Sequence, residues 1–259
     1  MISITSLAFS FQLESNLSLF TDEFIRQLAK NTSSNAYRQG EKFGHNDTVG
    51  TSFEDIWVND GDITLGTTAR TLTIQSSGND NGASSSGART VIIEGLDANY
   101  NEITEEIATV AAADPTTTNA FLRVNRMYVG DVGTNGTNEN AITCTTTTDA
   151  TIQANIGAGL GQTEKSQFTV PANYTCVIHS WSGDCGKGED FEMELKTAEL
   201  NKGWRVRQRA YVYQNHIQED IYVVLPEKTD VKIQGKSLTN ANKPLSVSYN
   251  YVMYDTTII

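Results

Sequence analysis

Hydrophobic and polar residues alternate most regularly between positions 87 and 107. Val91 and Ile93 lie on one side of an extended chain, and the alternation resumes over residues 103–107. Between the two runs stand three residues that favour chain reversal, because their side chains hydrogen-bond their own backbone and tolerate left-handed dihedrals: Asp97, Asn99 and Asn101. This pattern predicts a β-hairpin.

The same three residues have the first, third and fifth spacing of a calcium-binding loop. The sixth position of such a loop requires a glycine for its sharp turn, and here it is Glu102. The twelfth position requires a bidentate glutamate, and here it is Ala108. We therefore interpret the segment as a plain turn and predict no metal site.

Similar alternation along the rest of the chain predicts short strands joined by polar turns. In the clearest case, Phe191, Met193 and Leu195 alternate with charged residues, so one face should be buried and the other solvated. Strands are predicted at 71–75, 120–129, 168–170, 174–181, 191–195, 204–213, 217–225, 231–234 and 245–254. Several short strands at this spacing are typical of an all-β sandwich or jelly roll.

The chain has 259 residues, which favours two domains, each large enough to bury its own core. A low-complexity run at 143–150 and the glycines within 156–161 indicate a boundary. We therefore expect two β-sandwich or jelly-roll-like domains, at 46–150 and 151–259. An N-terminal arm and linker should occupy residues 1–45.

The predicted arm begins with an alternating segment that includes Phe9 and Phe11. A short helix should follow, because Thr21 can cap free amides and Phe24 and Leu28 supply an apolar face. A polar stretch at 31–40 reads as a linker. The arm could pack on its own domains or embrace a neighbouring subunit, and the sequence leaves both readings open.

Charge and cysteine content exclude several classes of protein. The chain carries 19 basic and 31 acidic residues, a net charge of −12, which disfavours binding to the nucleic-acid backbone. Neither a signal peptide nor a membrane-spanning segment is predicted. An odd number of cysteines, three, without metal-ligand spacing argues against a disulfide framework, and Cys176 and Cys185 should not face each other.

Candidate catalytic residues are few. The histidines, His45, His179 and His216, form no zinc pair at helical spacing, and no Gly-x-Ser-x-Gly motif accompanies them. His179 is expected to be a half-buried structural residue. Adjacent acidic residues along a strand point to opposite faces, so they cannot share a glycosidase site. We predict a non-enzymatic protein with no cofactor.

The three tryptophans could in principle stack on sugar rings, as in a carbohydrate-binding module: Trp57, Trp181 and Trp204. Large aromatic residues in strands usually belong to a core. The sequence shows no pattern of an exposed aromatic platform, so we expect these side chains to be buried.

Four segments together resemble a family of virion structural proteins of tailed bacteriophages, which are head decoration or cement-like proteins. The segments are VGTSFEDIW (49–57), GARTVIIEGLDANYNE (87–102), TTTNAFLRVNR (116–126) and LPEKTD (225–230). The resemblance covers roughly residues 42–254. It implies a particle component that is made in the bacterial host cytoplasm and displayed on the virion.

Within that family the acidic composition favours the outer capsid surface, because an acidic inner protein would repel the packaged genome. The expected partners are the major capsid protein and further copies of the chain, arranged as a homotrimer. A tail, neck or fibre component, or a carbohydrate-binding adhesion module, is the alternative. Suspected subunit contacts are Phe9, Phe11, Phe24, Leu28, Arg89, Arg123 and Arg126, although the arginines could equally be solvated strand-edge charges.

Overall fold

A computed structural model describes residues 37–186, 188–213 and 216–258. These residues form antiparallel β-sheets and contain no α-helix, which confirms the all-β class. The predicted arm with its short helix, including Phe9, Phe11, Phe24 and Leu28, lies outside the described residues. No helix that could cross a membrane occurs in the described part of the chain.

The described strands are β1 (Tyr37–Val49), β2 (Glu54–Asp55), β3 (Leu72–Gln75), β4 (Thr90–Leu96), β5 (Glu102–Ala108), β6 (Arg123–Val129), β7 (Ile142–Thr146), β8 (Ile152–Ile156), β9 (Phe168–Thr169), β10 (Tyr174–Cys185), β11 (Asp190–Ala198), β12 (Arg205–Tyr213), β13 (His216–Leu225), β14 (Asp230–Ser237) and β15 (Lys243–Asp255).

Two sheets form a large sandwich. One has the strand order β1-β15-β10-β13, and the other has the order β12-β11-β14-β2, with β9 also paired to β14. The predicted alternation of β11 is confirmed on its apolar side, because Phe191, Met193 and Leu195 are fully buried in the core between the sheets. Trp181 and Tyr249 are the largest side chains of this core.

A smaller unit has its own core between two three-stranded sheets, β3-β7-β8 and β5-β4-β6. Leu72, Ile93, Met127, Ile142 and Ile156 are buried within it. All six of its strands lie between β2 and β9 in the chain. The small unit is therefore an insertion into the large sandwich.

The strand pairing differs from the predicted division at residues 46–150 and 151–259. Strand β8 pairs with β7, so residues 146–151 form a hairpin turn, in which Ala150 has a φ of 55°, rather than a boundary. Strands β1 and β2 pair with β15 and β14 of the large sandwich. Polar, threonine-rich turns and interdomain linkers have the same composition, which explains the difference.

Strand β1 also includes residues 37–45, which were predicted to belong to the arm and linker. The strand is polar, and it has glycines where its backbone approaches neighbours closely. A Cβ atom at Gly40 would lie 2.4 Å from the ring of Tyr251, and one at Gly44 would lie 2.4 Å from the carbonyl oxygen of Ile56. The strand therefore lacks the apolar alternation that predicts strands from sequence.

The predicted hairpin at 87–107 is confirmed. Strands β4 and β5 pair from Thr90↔Ala108 to Leu96↔Glu102. At the turn, Oδ1 of Asp97 accepts hydrogen bonds from the backbone amides of Asn99 (2.7 Å) and Asn101 (2.9 Å). The carboxylate of Asp97 thus holds the turn, as the sequence predicted.

Buried cations connect the two cores. Nε and Nη2 of Arg123 donate to the two carboxylate oxygens of Asp230, at 2.9 and 3.0 Å. Nζ of Lys42 donates to the carbonyl oxygen of Asn125 at 2.6 Å, and Nζ of Lys165 donates to the carbonyl oxygen of Val124 at 2.8 Å. Three side chains therefore join strand β6 of the small unit to the large sandwich.

Candidate functional site

The outer face of the four-stranded sheet carries an apolar patch. Cys176 and Ile178 point into the core, so Val177 between them points outward. Strand register places Val252 and Val224 beside Val177 on the same face. With their neighbours they form what we call the apolar patch: Tyr37, Val177, Tyr222, Val224, Val252 and Tyr254.

The patch is open to solvent at one side of the sheet. Tyr222 is 83% exposed and Val224 is 58% exposed. At the other side the rings of Tyr37 and Tyr254 lie 6.5 Å apart. The patch spans four strands, roughly 14 Å at the usual strand spacing. Contiguous apolar surface of this kind marks protein interaction sites.

Strand β1 begins at Tyr37, which is itself part of the patch. The described part of the chain therefore starts on this surface.

The structure places the three suspected contact arginines outside the patch. Arg123 is only 6% exposed and is engaged by Asp230, so within the chain it connects the two cores. Sequence alone could not reveal that Asp230 lies against it. Arg126 is exposed and donates to Gln162 at 2.7 Å, and the half-buried Arg89 donates to the carbonyl oxygen of Ser85 at 3.2 Å.

A cleft of about 840 Å³ separates the two cores. Its lining side chains bridge the cores: Arg38 of β1 forms a bidentate pair with Glu102 of β5, at 3.0 and 2.7 Å. Lys42 lies at the cleft floor, where burial, with smaller contributions from Lys165 and Arg126, lowers its pKa to about 7. The ammonium group is already engaged by the carbonyl oxygen of Asn125, so the cleft is a junction between the two cores.

The outer face of the five-stranded sheet is ionic, in contrast to the apolar patch, and we call it the charged face. Strands β11, β12 and β14 and the β2 segment direct ionic and amide side chains to this side. Its members are Asp55, Asp62, Glu192, Glu194, Lys196, Arg209, Lys232, Gln234 and Lys236. Glu192 and Glu194 are buried beneath their neighbours, although they point away from the core.

Each charge on this face contacts a group of opposite charge or an amide. Arg209 pairs with Glu192 at 3.2 Å and also with Glu194. Lys236 contacts Glu192 at 2.8 Å. Lys232 pairs with Asp55 at 2.6 Å, and burial raises the pKa of that carboxyl despite the nearby ammonium. The side chains are consequently held in fixed positions.

Aromatic rings flank the charged face. Tyr211 and Tyr213 project from β12, with ring centroids 6.0 Å apart and planes inclined by 13°. Trp204, immediately before β12, lies over Lys232, whose Nζ is 4.7 Å from its ring centroid. Trp204 is 38% exposed, so the expectation of burial is wrong for this residue, whereas Trp57 and Trp181 are buried.

The remaining candidate residues lie at separate places in the described structure. His179 is half-buried in β10, and His45 and His216 bond to different neighbours, Ser246 (2.8 Å) and Asp184 (2.7 Å). Cys176 and Cys185 occupy opposite ends of β10. The structure therefore brings neither the histidines nor these cysteines together.

Comparison with known proteins gives no family. No protein-family model matches the chain, and no curated protein matches it. Among solved structures, the chain is similar to cowpea mosaic virus top component, with 6% identity, TM-score 0.23, and 70% of this chain and 80% of that chain covered. The tandem CBM22 domains of Paenibacillus barcinonensis Xyn10C give 9% identity, TM-score 0.24, and 86% and 94% coverage.

Infectious bursal virus derived T=1 particles give 11% identity, TM-score 0.19, and 90% and 79% coverage. TM-scores and sequence identities this low do not define a family. Function is therefore inferred from the surfaces described above.

Proposed function

We propose that the chain is a non-enzymatic structural protein of a tailed-bacteriophage virion, which decorates the outside of the head and stabilises the lattice of the major capsid protein. The observation that carries this proposal is the apolar patch on the four-stranded sheet. Tyr222 and Val224 expose most of their apolar surface at its open side. The resemblance of residues 42–254 to phage virion proteins supports a structural role in the virion, and the acidic composition favours the outside of the head.

The apolar patch is the face that rests on the capsid. Aromatic residues are enriched in protein interfaces, and the patch has three tyrosines beside a row of three paired valines. The rim is polar, since Gln39, Thr175 and Asp220 lie beside the apolar residues on the same sheet. This combination suits a docking surface that a soluble chain can expose before assembly.

A homotrimer is the proposed assembly state. A trimer on a local threefold axis offers three identical patches to three identical capsid sites, so individually weak contacts act together. Tyr37, the first described residue, is part of the patch, and the predicted arm precedes it in the chain. We place the contacts between neighbouring subunits on that arm, with Phe9, Phe11, Phe24 and Leu28 as the apolar residues.

Binding to undecorated heads tests the proposal. A Tyr222→Ser/Val224→Ser variant should bind at least tenfold more weakly than the unmodified chain, because it removes the exposed apolar surface. Tyr213→Ser is the matched control, since it removes an exposed tyrosine from the opposite sheet. Equal binding by the double variant and the unmodified chain would exclude the patch as the capsid-binding face.

The number of copies of the protein per particle distinguishes a location on the head from one at the neck or tail. Quantitative mass spectrometry of purified particles should find several hundred copies, spread evenly over the shell. About six or twelve copies at one vertex would move the protein to the neck or tail.

A further inference from the structure

The charged face is a second exposed surface, and head decoration does not explain its features. Tyr213 is 63% exposed and Tyr211 is 43% exposed, and their nearly parallel rings stand at one end of this face. Trp204 stands toward the other end, over Lys232. Lys232 lies opposite Lys196 in the register of β11 and β14, and Tyr211 lies opposite Glu192. The aromatic groups are thus separated by about four strand residues, roughly 13 Å.

Between the aromatic groups lies a floor of fixed hydrogen-bonding groups. Lys196 donates to Gln234 at 2.9 Å, and Gln234 donates to Asp62 at 2.9 Å. Arg209 and Lys236 hold Glu192 from two sides. Glu192 and Glu194 lie buried beneath the cations, so a ligand would meet the more exposed Arg209, Lys196 and Lys236, whose cationic groups retain further donors. A ligand rich in hydroxyl groups could therefore bond to this floor without a change in its arrangement.

We propose that the charged face binds a neutral polysaccharide chain. The apolar faces of sugar rings would stack on Tyr211, Tyr213 and Trp204, and sugar hydroxyls would bond to the floor between them. A few fixed polar groups combined with aromatic surface are the general features of small-molecule binding sites. Their fixed arrangement limits the entropy lost when a flexible ligand binds.

The charge balance of the floor favours a neutral glycan over an acidic one. Four cations, Lys196, Arg209, Lys232 and Lys236, face four carboxylates, Asp55, Asp62, Glu192 and Glu194. These charges cancel, so the floor has no excess of positive charge for a polyanion. The net charge of −12 on the whole chain also repels polyanions, including single-stranded nucleic acid.

The same floor disfavours a protein partner. The centres of protein interfaces are depleted of lysine, glutamate and aspartate, because these groups are costly to remove from water. Here lysines, glutamates and aspartates occupy the middle of the surface, and the aromatic rings stand at its ends. A hydrated, hydroxyl-rich ligand retains bonds to these groups and avoids that cost.

Affinity electrophoresis of the full-length chain tests the proposal. The gels would contain barley β-glucan, xylan, galactomannan or yeast mannan as neutral polymers, and alginate or hyaluronan as acidic polymers. We expect at least one neutral polymer to retard the chain and the acidic polymers to leave it unretarded. Retardation by acidic polymers only, or by none of the polymers, would overturn the proposal.

Three variants test whether any retardation depends on the charged face. Tyr211→Ser/Tyr213→Ser and Trp204→Ala should each lower the affinity at least tenfold, because each removes exposed rings. Tyr222→Ser is the control, since it removes a still more exposed ring from the opposite sheet and should bind like the unmodified chain. Far-ultraviolet circular dichroism establishes that each variant is folded, and retained binding by the folded aromatic variants would contradict the assignment. The outcome is independent of head binding, which depends on the apolar patch.

Discussion

The Arg123 side chain connects the two cores through a buried ion pair. It is buried, pairs with both carboxylate oxygens of Asp230, and also donates to the carbonyl oxygen of Gly66 at 2.6 Å. Asp230 in turn accepts a hydrogen bond from the hydroxyl of Thr169 at 2.5 Å. The pair therefore fixes β6 of the small unit against β9 and β14 of the large sandwich.

Removal of Arg123 should leave Asp230 as a buried charge without its main partner. We expect Arg123→Met to lower the free energy of unfolding by about 3–5 kcal/mol, the usual cost of breaking a buried ion pair on one side. Arg126→Met is the control, because Arg126 is exposed and should contribute no more than about 1 kcal/mol. Urea denaturation of both variants measures the difference, and equal losses would refute the bracing role.

Lys42 and Lys165 should make stability depend on pH. Burial is the main cause that lowers the pKa of each to about 7, from a value near 10.5 in the unfolded chain. Between these values the unfolded state binds more protons, so stability rises with pH above about 7 and reaches a lower plateau below it. Groups that face the lysines include Glu94, Arg126, Cys144 and Arg123.

The expected gain in the free energy of unfolding between pH 7 and pH 8.5 is about 1.6 kcal/mol for one lysine, because the slope reaches its full value of about 1.36 kcal/mol per pH unit only above the folded pKa. Urea denaturation at several pH values measures it. Lys42→Met should flatten the slope, whereas Lys202→Met, at an exposed position, should leave it unchanged. A slope that persists in the Lys42→Met and Lys165→Met variants would show that other groups cause it.

At the scale of elements, the sequence predicted the positions of strands far better than it predicted which strands pair with each other. Nearly every strand of the second half was predicted within a few residues, because apolar alternation is local and strong there. Strand β1 was missed, since its contacts depend on glycines and on strand β15, which lies at the far end of the chain. Pairing of distant strands leaves no local pattern, so the inserted position of the small unit was also missed.

The apolar patch and the charged face could not be predicted from the sequence for the same reason. The tyrosines of the apolar patch and of the charged face sit in alternating strands that look alike in sequence. Only the register shows that Tyr222 lies on the outside of one sheet and Tyr213 on the outside of the other. Trp204 follows Lys202 and Gly203, a polar context that could have indicated its exposure.

Gly44 should be essential to the fit of β1. An alanine Cβ there would lie 2.4 Å from the carbonyl oxygen of Ile56 and 2.8 Å from the amide nitrogen of Ser166, both backbone atoms that cannot easily move. We expect Gly44→Ala to cost about 1–3 kcal/mol, as overpacked core positions do. Gly50→Ala is the control, because its nearest neighbour would be 3.6 Å away. Thermal melts of the two variants should differ clearly, and matching melts would show that β1 can shift without cost.

At the scale of the whole molecule, the two cores should unfold together, because Lys42, Arg123 and Lys165 connect them. Cys144 lies in the small core and Cys176 in the large core, and burial raises the pKa of each thiol to about 12. Both thiols should resist alkylation in the native state. They should become reactive at the same urea concentration, as peptide mapping after iodoacetamide labelling would measure. Distinct midpoints would show that the cores unfold independently.

The pairing of β1 with β15 sets the order in which the chain can fold during its synthesis. Val49 ends β1 and Lys243 begins β15, 194 positions later. At the usual 5–20 residues per second, the ribosome needs roughly 10–40 s to produce the partner of β1. The strands of the small unit are contiguous in the chain and can assemble during that interval. We therefore expect the inserted unit to fold first, and the large sandwich to close around it only when its last strand leaves the ribosome.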